Sequence, residues 1–345
     1  MSERLTLVRP DDWHLHLRDG AALRAVAPHS AARFGRAIVM PNLVPPVTTA
    51  AMAADYRARI MAALPDGSDF QPLMTLYLTD ELPPAEIDRA ADSGIVYGCK
   101  LYPAGATTHS HAGVTDVTKL AAVLERMSVR GLPLQVHGEV TDPAVDIFDR
   151  EAVFIERVLA PLLARHQGLR VVMEHVSTRA AVEFVAGFGA RLGATVTPQH
   201  LLFNRNALLA GGLRPHFYCL PILKTEHDRQ ALVDIVANGH PRFFLGTDSA
   251  PHARHLKEAA CGCAGIYTAH AAIELYATVF DRHGMLPRLE AFAAHFGADF
   301  YRLPRNSTTI TLERRDWQSP AHYAFGNDRL VPMLAGETLA WQLVA

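Results

Sequence analysis

The chain is poor in what many small or specialised folds depend on. Only four of its 345 residues are cysteine: Cys99, Cys219, Cys261 and Cys263. They form no disulfide framework and no CxxC pair, which excludes a disulfide-stapled scaffold and leads us to expect a reducing cytoplasm. Cys261-Gly-Cys263 is too closely spaced for a usual zinc clamp and reads as loop chemistry. Neither sign of charge dominates: 33 Lys and Arg face 35 Asp and Glu, a formal net charge of -2. That balance gives no support to a nucleic-acid partner. No apolar run approaches a membrane span and no signal core opens the chain, so no membrane partner is expected. Gly/Ser linkers, low-complexity tracts and fixed-period repeats are missing too. What is abundant is core material, with 49% hydrophobic and 20% charged residues. This is the profile of a globular protein of one large domain or two small ones.

Short apolar, β-branched runs alternate with segments of helical composition. The runs are Leu5–Val8, leading into a histidine pair, Ala37–Met40, Pro72–Leu78, Ile95–Leu101, Leu132–Val136, Leu169–Met173, Ala194–Thr197 and Arg242–Gly246. Between them, Thr48–Leu64 opens with Thr caps and stops before Pro65, and Asp116–Arg130 stops at Gly131. Phe148–His166, Ser177–Phe188 and Glu226–Asn238 read as helices as well. Eight strands, each followed by a helix or long loop, predict an α/β protein with a closed (β/α)8 TIM-type barrel. An open doubly wound sheet is the runner-up, weakened because no Gly-x-Gly-x-x-Gly follows the first strand. Tyr301–Ala345 differs: Thr308–Glu313 and Glu337–Val344 alternate like short strands. We expect a single domain over 1–345, with the barrel over about 1–300 and a small appendage over about 301–345.

In such a barrel, chemistry sits at the C-terminal strand ends. The first ends in His14-Leu-His16-Leu-Arg18, whose alternation predicts both imidazoles and the guanidinium on one face and Trp13, Leu15 and Leu17 on the other. Since the chain holds 18 His, about one His-x-His pair is expected by chance. The second, His109-Ser110-His111, falls in a polar loop and reads as solvated. Later strand ends carry Asn42, Lys100, His137 with Glu139, Glu174 with His175, and Asp248 with His252. Four His, one Lys and one Asp from five strands converge on one rim. Imidazole with carboxylate suits Zn²⁺ or a similar ion, and the set is too large for one catalytic zinc. Two metals would need a bridge. Burial and nearby positive charge would depress the Lys100 pKa, and its neutral amine could add CO2 to become a bridging carbamate. Pairing of Lys100 with Glu139 or Glu174 is the alternative, and spacing leaves both open.

Together, His14-x-His16-x-Arg18, Pro41-Asn42, Lys100-Leu-Tyr-Pro-Ala-Gly-Ala-Thr107-Thr108, His137-Gly-Glu139, Glu174-His175, Cys219-Leu-Pro-Ile-Leu-Lys224, Gly246-Thr-Asp248-Ser-Ala-Pro-His252 and Cys261-Gly-Cys-Ala264-Gly resemble the dihydroorotases of the amidohydrolase superfamily, in their short stand-alone bacterial form. The resemblance covers nearly the whole chain. It implies two Zn²⁺ bridged by Lys100 as N6-carboxylysine, one metal on His14, His16 and Asp248 and the other on His137 and His175. It implies Asp248 as the catalytic proton carrier. Arg18, Asn42 and His252 would hold the substrate's α-carboxylate, Leu220 and Ala264 would meet the ring through main-chain groups, and Thr107 and Thr108 would lie on a closing loop. The implied reaction is reversible cyclisation of N-carbamoyl-L-aspartate to L-dihydroorotate in pyrimidine biosynthesis, by a homodimer.

Two other readings stay open. A hydantoinase-like cyclic amidohydrolase would share the metals without needing the carboxylate clamp. A non-catalytic scaffold barrel would be expected to have lost ligands.

Overall fold

In the computed structural model, which describes residues 3–344, thirteen strands form three sheets. They are β1 (Arg4–Val8), β2 (Asp11–Leu15), β3 (Arg36–Val39), β4 (Gln71–Tyr77), β5 (Val96–Leu101), β6 (Leu134–Val136), β7 (Val171–Met173), β8 (Leu192–Val196), β9 (Phe243–Leu245), β10 (Thr309–Gln318), β11 (Tyr323–Phe325), β12 (Asp328–Leu330) and β13 (Thr338–Leu343). β2 to β9 pair in sequential order, each parallel to the next. The sheet closes on itself just past the strand ends, where Leu15 bridges Ser249, the Asp248 amide donates to the His14 carbonyl at 2.9 Å and the His16 amide to the Ser249 carbonyl at 3.1 Å. The expected (β/α)8 barrel is the observed fold.

Helices follow the sequence signals. Thr49 caps Ala50–Ala62 by accepting from the Met52 amide, and Gly131, at φ 70°, ends Ala121–Arg130 in the left-handed region. Thr225 and Asp228 form a reciprocal capping box at Glu226–Ala237. The predicted Phe148–His166 helix is continuous only through a π segment, Ile155–Leu159, between Arg150–Phe154 and Ala160–Arg165.

One expected strand moves. Leu5–Val8 does not enter the barrel: β1 pairs antiparallel with β10, which pairs with β13. Pro10 separates it from β2, the true first barrel strand, because proline supplies no ladder N–H. The two ends of the chain thus share a sheet, and β11 and β12 add a hairpin.

Two apolar layers alternate along the barrel strands. Ala37 and Val39, Val171 and Met173, and Phe243 and Leu245 belong to the large cluster. Ile38, Val172 and Phe244 belong to a smaller inner cluster with Trp13, Ala298 and Tyr301. Trp13 therefore does not side with Leu15 and Leu17, as simple alternation predicts. A β-bulge between Asp12 and Leu15 breaks the period and turns it inward. There it stacks on Tyr301 with ring centroids 4.6 Å apart. Helix Phe296–Tyr301 supplies that floor, and Gly297 is required in it, since a Cβ would lie 2.0 Å from Trp13 Nε1.

Candidate active site and metal centre

At the open end of the barrel, the backbone bonds that close the sheet also bring ligands together. The buried Asp12 carboxylate accepts from the His14 amide, the Thr247 amide and the Thr247 hydroxyl at 3.1, 2.9 and 2.6 Å. It thereby clamps β2 to the segment after β9. Gly246 leaves the necessary room, because a Cβ there would meet Thr195 Cβ at 2.6 Å and His14 Cβ at 3.1 Å. Asp248 Oδ1 then lies 3.3 Å from His14 Nε2 and 3.1 Å from His16 Nε2, and the two Nε2 atoms are 3.4 Å apart. These three donors form a cluster able to hold a metal ion.

Tautomers follow from the neighbours. His14 Nδ1 donates to Glu174 Oε2 at 2.7 Å and His16 Nδ1 to Asn42 Oδ1 at 2.8 Å, so each presents a lone pair at Nε2. His137 donates from Nε2 to Glu139 Oε2 at 2.8 Å, leaving Nδ1 as its lone-pair atom. Burial, opposed by Asp248, lowers His16 to about 3, and burial with the adjacent His137 holds His175 well below its ordinary value. Neutral imidazoles of this kind are what a metal needs. His175 Nδ1 is buried without a hydrogen-bond partner, and the His175 ring centroid lies 5.0 Å from that of His14 and 4.8 Å from that of His137.

Lys100 is fully buried and its Nζ has no hydrogen-bond partner. Among the described residues it forms no ion pair with Glu139 or Glu174, which serve His137 and His14 instead. Burial outweighs the pull of Glu174 and Asp248 and lowers its pKa to about 8. The donor set therefore fits a metal centre: oriented imidazoles, one carboxylate, and a buried amine that, among the described residues, makes no hydrogen bond and has the Tyr102 ring beside it, 5.1 Å from Nζ to the centroid.

The site cavity is lined by His14, His16, Arg18, Asn42, Tyr102, Thr107, Thr108, His137, His175, Leu220, Asp248, Ala250, Ala264 and Gly265. Eleven of the thirteen residues singled out from sequence line it. Lys100 and His252 do not. His252 lies behind Arg18, whose Nη2 donates to its Nε2 at 3.0 Å while Nε donates to the Pro251 carbonyl at 3.1 Å. Burial and this guanidinium push His252 down to about 2, which keeps it a neutral acceptor. Asn42 has both side-chain ends engaged, with Nδ2 donating to the Thr108 carbonyl at 3.1 Å. Thr108 Oγ1 donates to the Ala264 carbonyl at 3.3 Å. The 104–113 loop thus lies over the cavity. It is more built than its small residues suggest: Ser110 is buried, accepts from the Thr107 amide and donates to the Thr107 carbonyl. His109 and His111 are exposed, as expected.

Of six non-glycine residues at positive φ among those described, four belong to the site or its loop: Arg18, His109, His175 and Asp248. Such strain gathers where a side chain must be aimed. Asp12 and Thr195 escaped the sequence reading because they touch ligands and not the cavity, and Glu139 and Glu174, seen at the strand ends, were weighed only as partners of Lys100 and not of His137 and His14. The alternation His137-x-Glu139 was the available signal for one of them.

A model of the amidohydrolase family matches residues 6–311, and the chain belongs to that family: barrel hydrolases whose chemistry sits at the strand ends. Within it, a dihydroorotase from Laribacter hongkongensis is 66% identical over 98% of this chain and 99% of its own length. One from Methylobacillus flagellatus is 63% identical over 99% of each. The crystal structure of Campylobacter jejuni dihydroorotase superposes with a TM-score of 0.92 at 34% identity, covering 100% of this chain and 98% of that one. The chain is accordingly a member of the dihydroorotases, enzymes that hydrolyse a cyclic amide.

Proposed function

We propose that the chain interconverts N-carbamoyl-L-aspartate and L-dihydroorotate on two Zn²⁺ ions. His14, His16 and Asp248 would hold one, His137 and His175 the other. Lys100 would bridge them after its neutral amine adds CO2, forming a carbamate and releasing a proton. The observation that carries this reading is the buried Lys100 amine, without a hydrogen-bond partner among the described residues, beside the oriented imidazoles. Bound there, the metals would acidify a water and polarise a carbonyl.

The protein's own groups do the rest. In hydrolysis, water adds to the ring carbonyl carbon next to the methylene, and the bond from that carbon to the ring nitrogen breaks. Asp248 takes the water's proton and delivers it to the leaving nitrogen. Asp248 stands among these imidazoles with its pKa well below the usual carboxylate range despite burial, so it is ionised at the start of hydrolysis. Ring closure runs the same path backwards. Arg18, with neutral His252 behind it, offers a planar fork to the α-carboxylate. Asn42 would support that clamp, Leu220 and Ala264 would meet the ring through their backbone, and Thr107 and Thr108 would exclude water from above.

We further propose a single domain, a homodimer and a cytoplasmic setting. The shared β1–β10–β13 sheet supports the first, the family resemblance the second and the absence of a disulfide framework the third. No helix among the described residues is long and apolar enough to cross a membrane.

The test is metal content and turnover together. Purified protein should carry close to two zinc per chain and interconvert dihydroorotate and carbamoylaspartate. Lys100→Ala should lose most metal and most activity. Near-normal zinc and turnover in Lys100→Ala would sink the carbamate, and hydantoin turnover in place of dihydroorotate would redirect the substrate assignment.

A further inference from the structure

Lys257 closes the short helix Arg254–Lys257, just beyond the Asp248–His252 segment. It is a buried cation that the chemistry above does not use. Among the described residues no carboxylate pairs with it, and the Tyr218 ring lies beside it, 5.8 Å from Nζ to the centroid. Its ammonium donates to three main-chain carbonyls instead: Tyr218 at 2.8 Å, Cys263 at 2.9 Å and Gly265 at 2.7 Å. An ammonium has three protons, and all three are used.

Those carbonyls flank the cavity. Tyr218 lies two residues before Leu220, and Cys263 and Gly265 lie on either side of Ala264. Leu220, Ala264 and Gly265 line the cavity. The two segments meet directly as well, since the Gly265 amide donates to the same Tyr218 carbonyl at 3.0 Å. A third strap joins the Cys263 amide to the Leu256 carbonyl at 2.9 Å. Neither segment is part of a helix or strand, so no ladder or helix holds them in register. The Ala264 carbonyl is also where Thr108 of the overlying loop lands.

Burying an ammonium among neutral carbonyls is costly, and an apolar residue of the same volume would avoid that cost only by leaving those carbonyls without their donor. Packing alone does not account for a lysine here. The arrangement is explained if three carbonyls from two irregular segments must be gathered on one point. We propose that Lys257 is a positioning residue for substrate recognition. It ties the 218–220 and 263–265 segments together so that the backbone groups of Leu220 and Ala264 stand at the spacing the substrate ring requires. This rests on the reading of that cavity wall as the ring subsite. Lys257 touches no reacting atom and no candidate metal ligand, so its loss should separate binding from chemistry.

The experiment uses the full-length, metal-loaded enzyme with Lys257→Met, which keeps the length and removes the donors, and Lys257→Gln, which returns two of them. We expect KM for dihydroorotate to rise about tenfold or more in Lys257→Met, the scale of one or two net hydrogen bonds. Zinc content should be unchanged and kcat within about threefold. Lys257→Gln should fall between Lys257→Met and the parent. A merely structural lysine would lower melting temperature, metal content and kcat together with no selective rise in KM, and that result overturns the proposal. So does an unchanged KM in both variants. Should Lys257→Met not fold, the KM of Lys257→Gln decides alone. Arg18→Met, measured alongside, tests the substrate site itself. If Arg18→Met binds substrate normally the site reading has failed, whereas a weak-binding Arg18→Met beside a normal Lys257→Met refutes only the role of Lys257.

Discussion

Arg18 shows how much work a single residue's surroundings do. Its backbone sits at φ 60°, held by the Tyr56 hydroxyl donating to its carbonyl at 2.7 Å. That conformation turns the side chain into the cavity, where the Pro251 carbonyl and His252 orient the guanidinium. A lysine would keep the charge and lose the planar fork. Arg18→Met should lose roughly 2–4 kcal/mol of transition-state stabilisation, the scale for truncating a buried charge partner. Metal content should not change, because no candidate ligand hydrogen-bonds to Arg18. Zinc analysis beside kcat/KM checks this, and zinc lost with Arg18 would make it a structural residue.

At the scale of an element, the 104–113 loop is the instructive case. Its backbone joins Ala104 to Val114 and Val114 to Tyr102, and its tip reaches Ala264 through the Thr108 hydroxyl and Asn42 through the Thr108 carbonyl. Asn42 in turn orients His16, so the covering loop and a candidate ligand share one amide side chain. Hydrogen bonds to Asn42 and Ala264 and within the loop hold the tip, so opening it for substrate breaks those bonds. Thr107→Val and Thr108→Val keep shape and remove the hydroxyl. Each should slow turnover a few-fold, on the order of 0.5–1.5 kcal/mol, and the double variant should be slower still. Zinc should stay bound. Steady-state turnover and limited proteolysis with and without a carboxylate-bearing analogue provide the measurement. Normal turnover in the double variant, with unchanged cleavage in the loop, would remove its catalytic part.

At the scale of the whole molecule, the barrel and the C-terminal strands are joined by an aromatic and histidine seam. His29 Nδ1 meets the Tyr267 hydroxyl at 2.5 Å, and its ring centroid lies 4.6 Å from that of Tyr323 in β11. His270 Nε2 reaches Ser319 Oγ at 3.2 Å. The Arg33–Glu274 ion pair, with Nη2 and Oε1 2.6 Å apart, belongs to the same seam. Burial, with Arg33 beside them, lowers His29 to about 4 and His270 to about 3. In the unfolded chain both take up a proton near pH 6.5. Between those values the unfolded state binds more protons, so this stability is present above about pH 6.5 and is lost as pH falls through the window. Melting temperature should decline from pH 7 to pH 4. His270→Gln should decline less, by about 2 °C or more. Parallel curves for parent and variant would show that His270 is not a source of the acid sensitivity.

The local order of the chain carried a great deal. The alternation of apolar runs with capped helical segments pointed to a parallel sheet and, from eight repeats, to a barrel, although the run counted first, Leu5–Val8, stood in for β2. The residue types at the strand ends pointed to an imidazole and carboxylate chemistry and made the candidate ligands legible, whereas Thr107, Thr108, Leu220 and Ala264 came only from the family resemblance. What local order left open were facts of long-range contact. Leu5–Val8 has the composition of any strand, and only pairing with β10 takes it out of the barrel. Trp13 faces inward because of a bulge, which no periodicity encodes. Whether Lys100 pairs with a carboxylate depended on where Glu139 and Glu174 spend their oxygens, and those go to His137 and His14. Lys257 was invisible for the same reason: its meaning lies in three carbonyls, and backbone carbonyls look alike in every sequence. Side-chain chemistry and periodicity are local properties, whereas hydrogen-bond satisfaction in a buried site belongs to the assembled molecule.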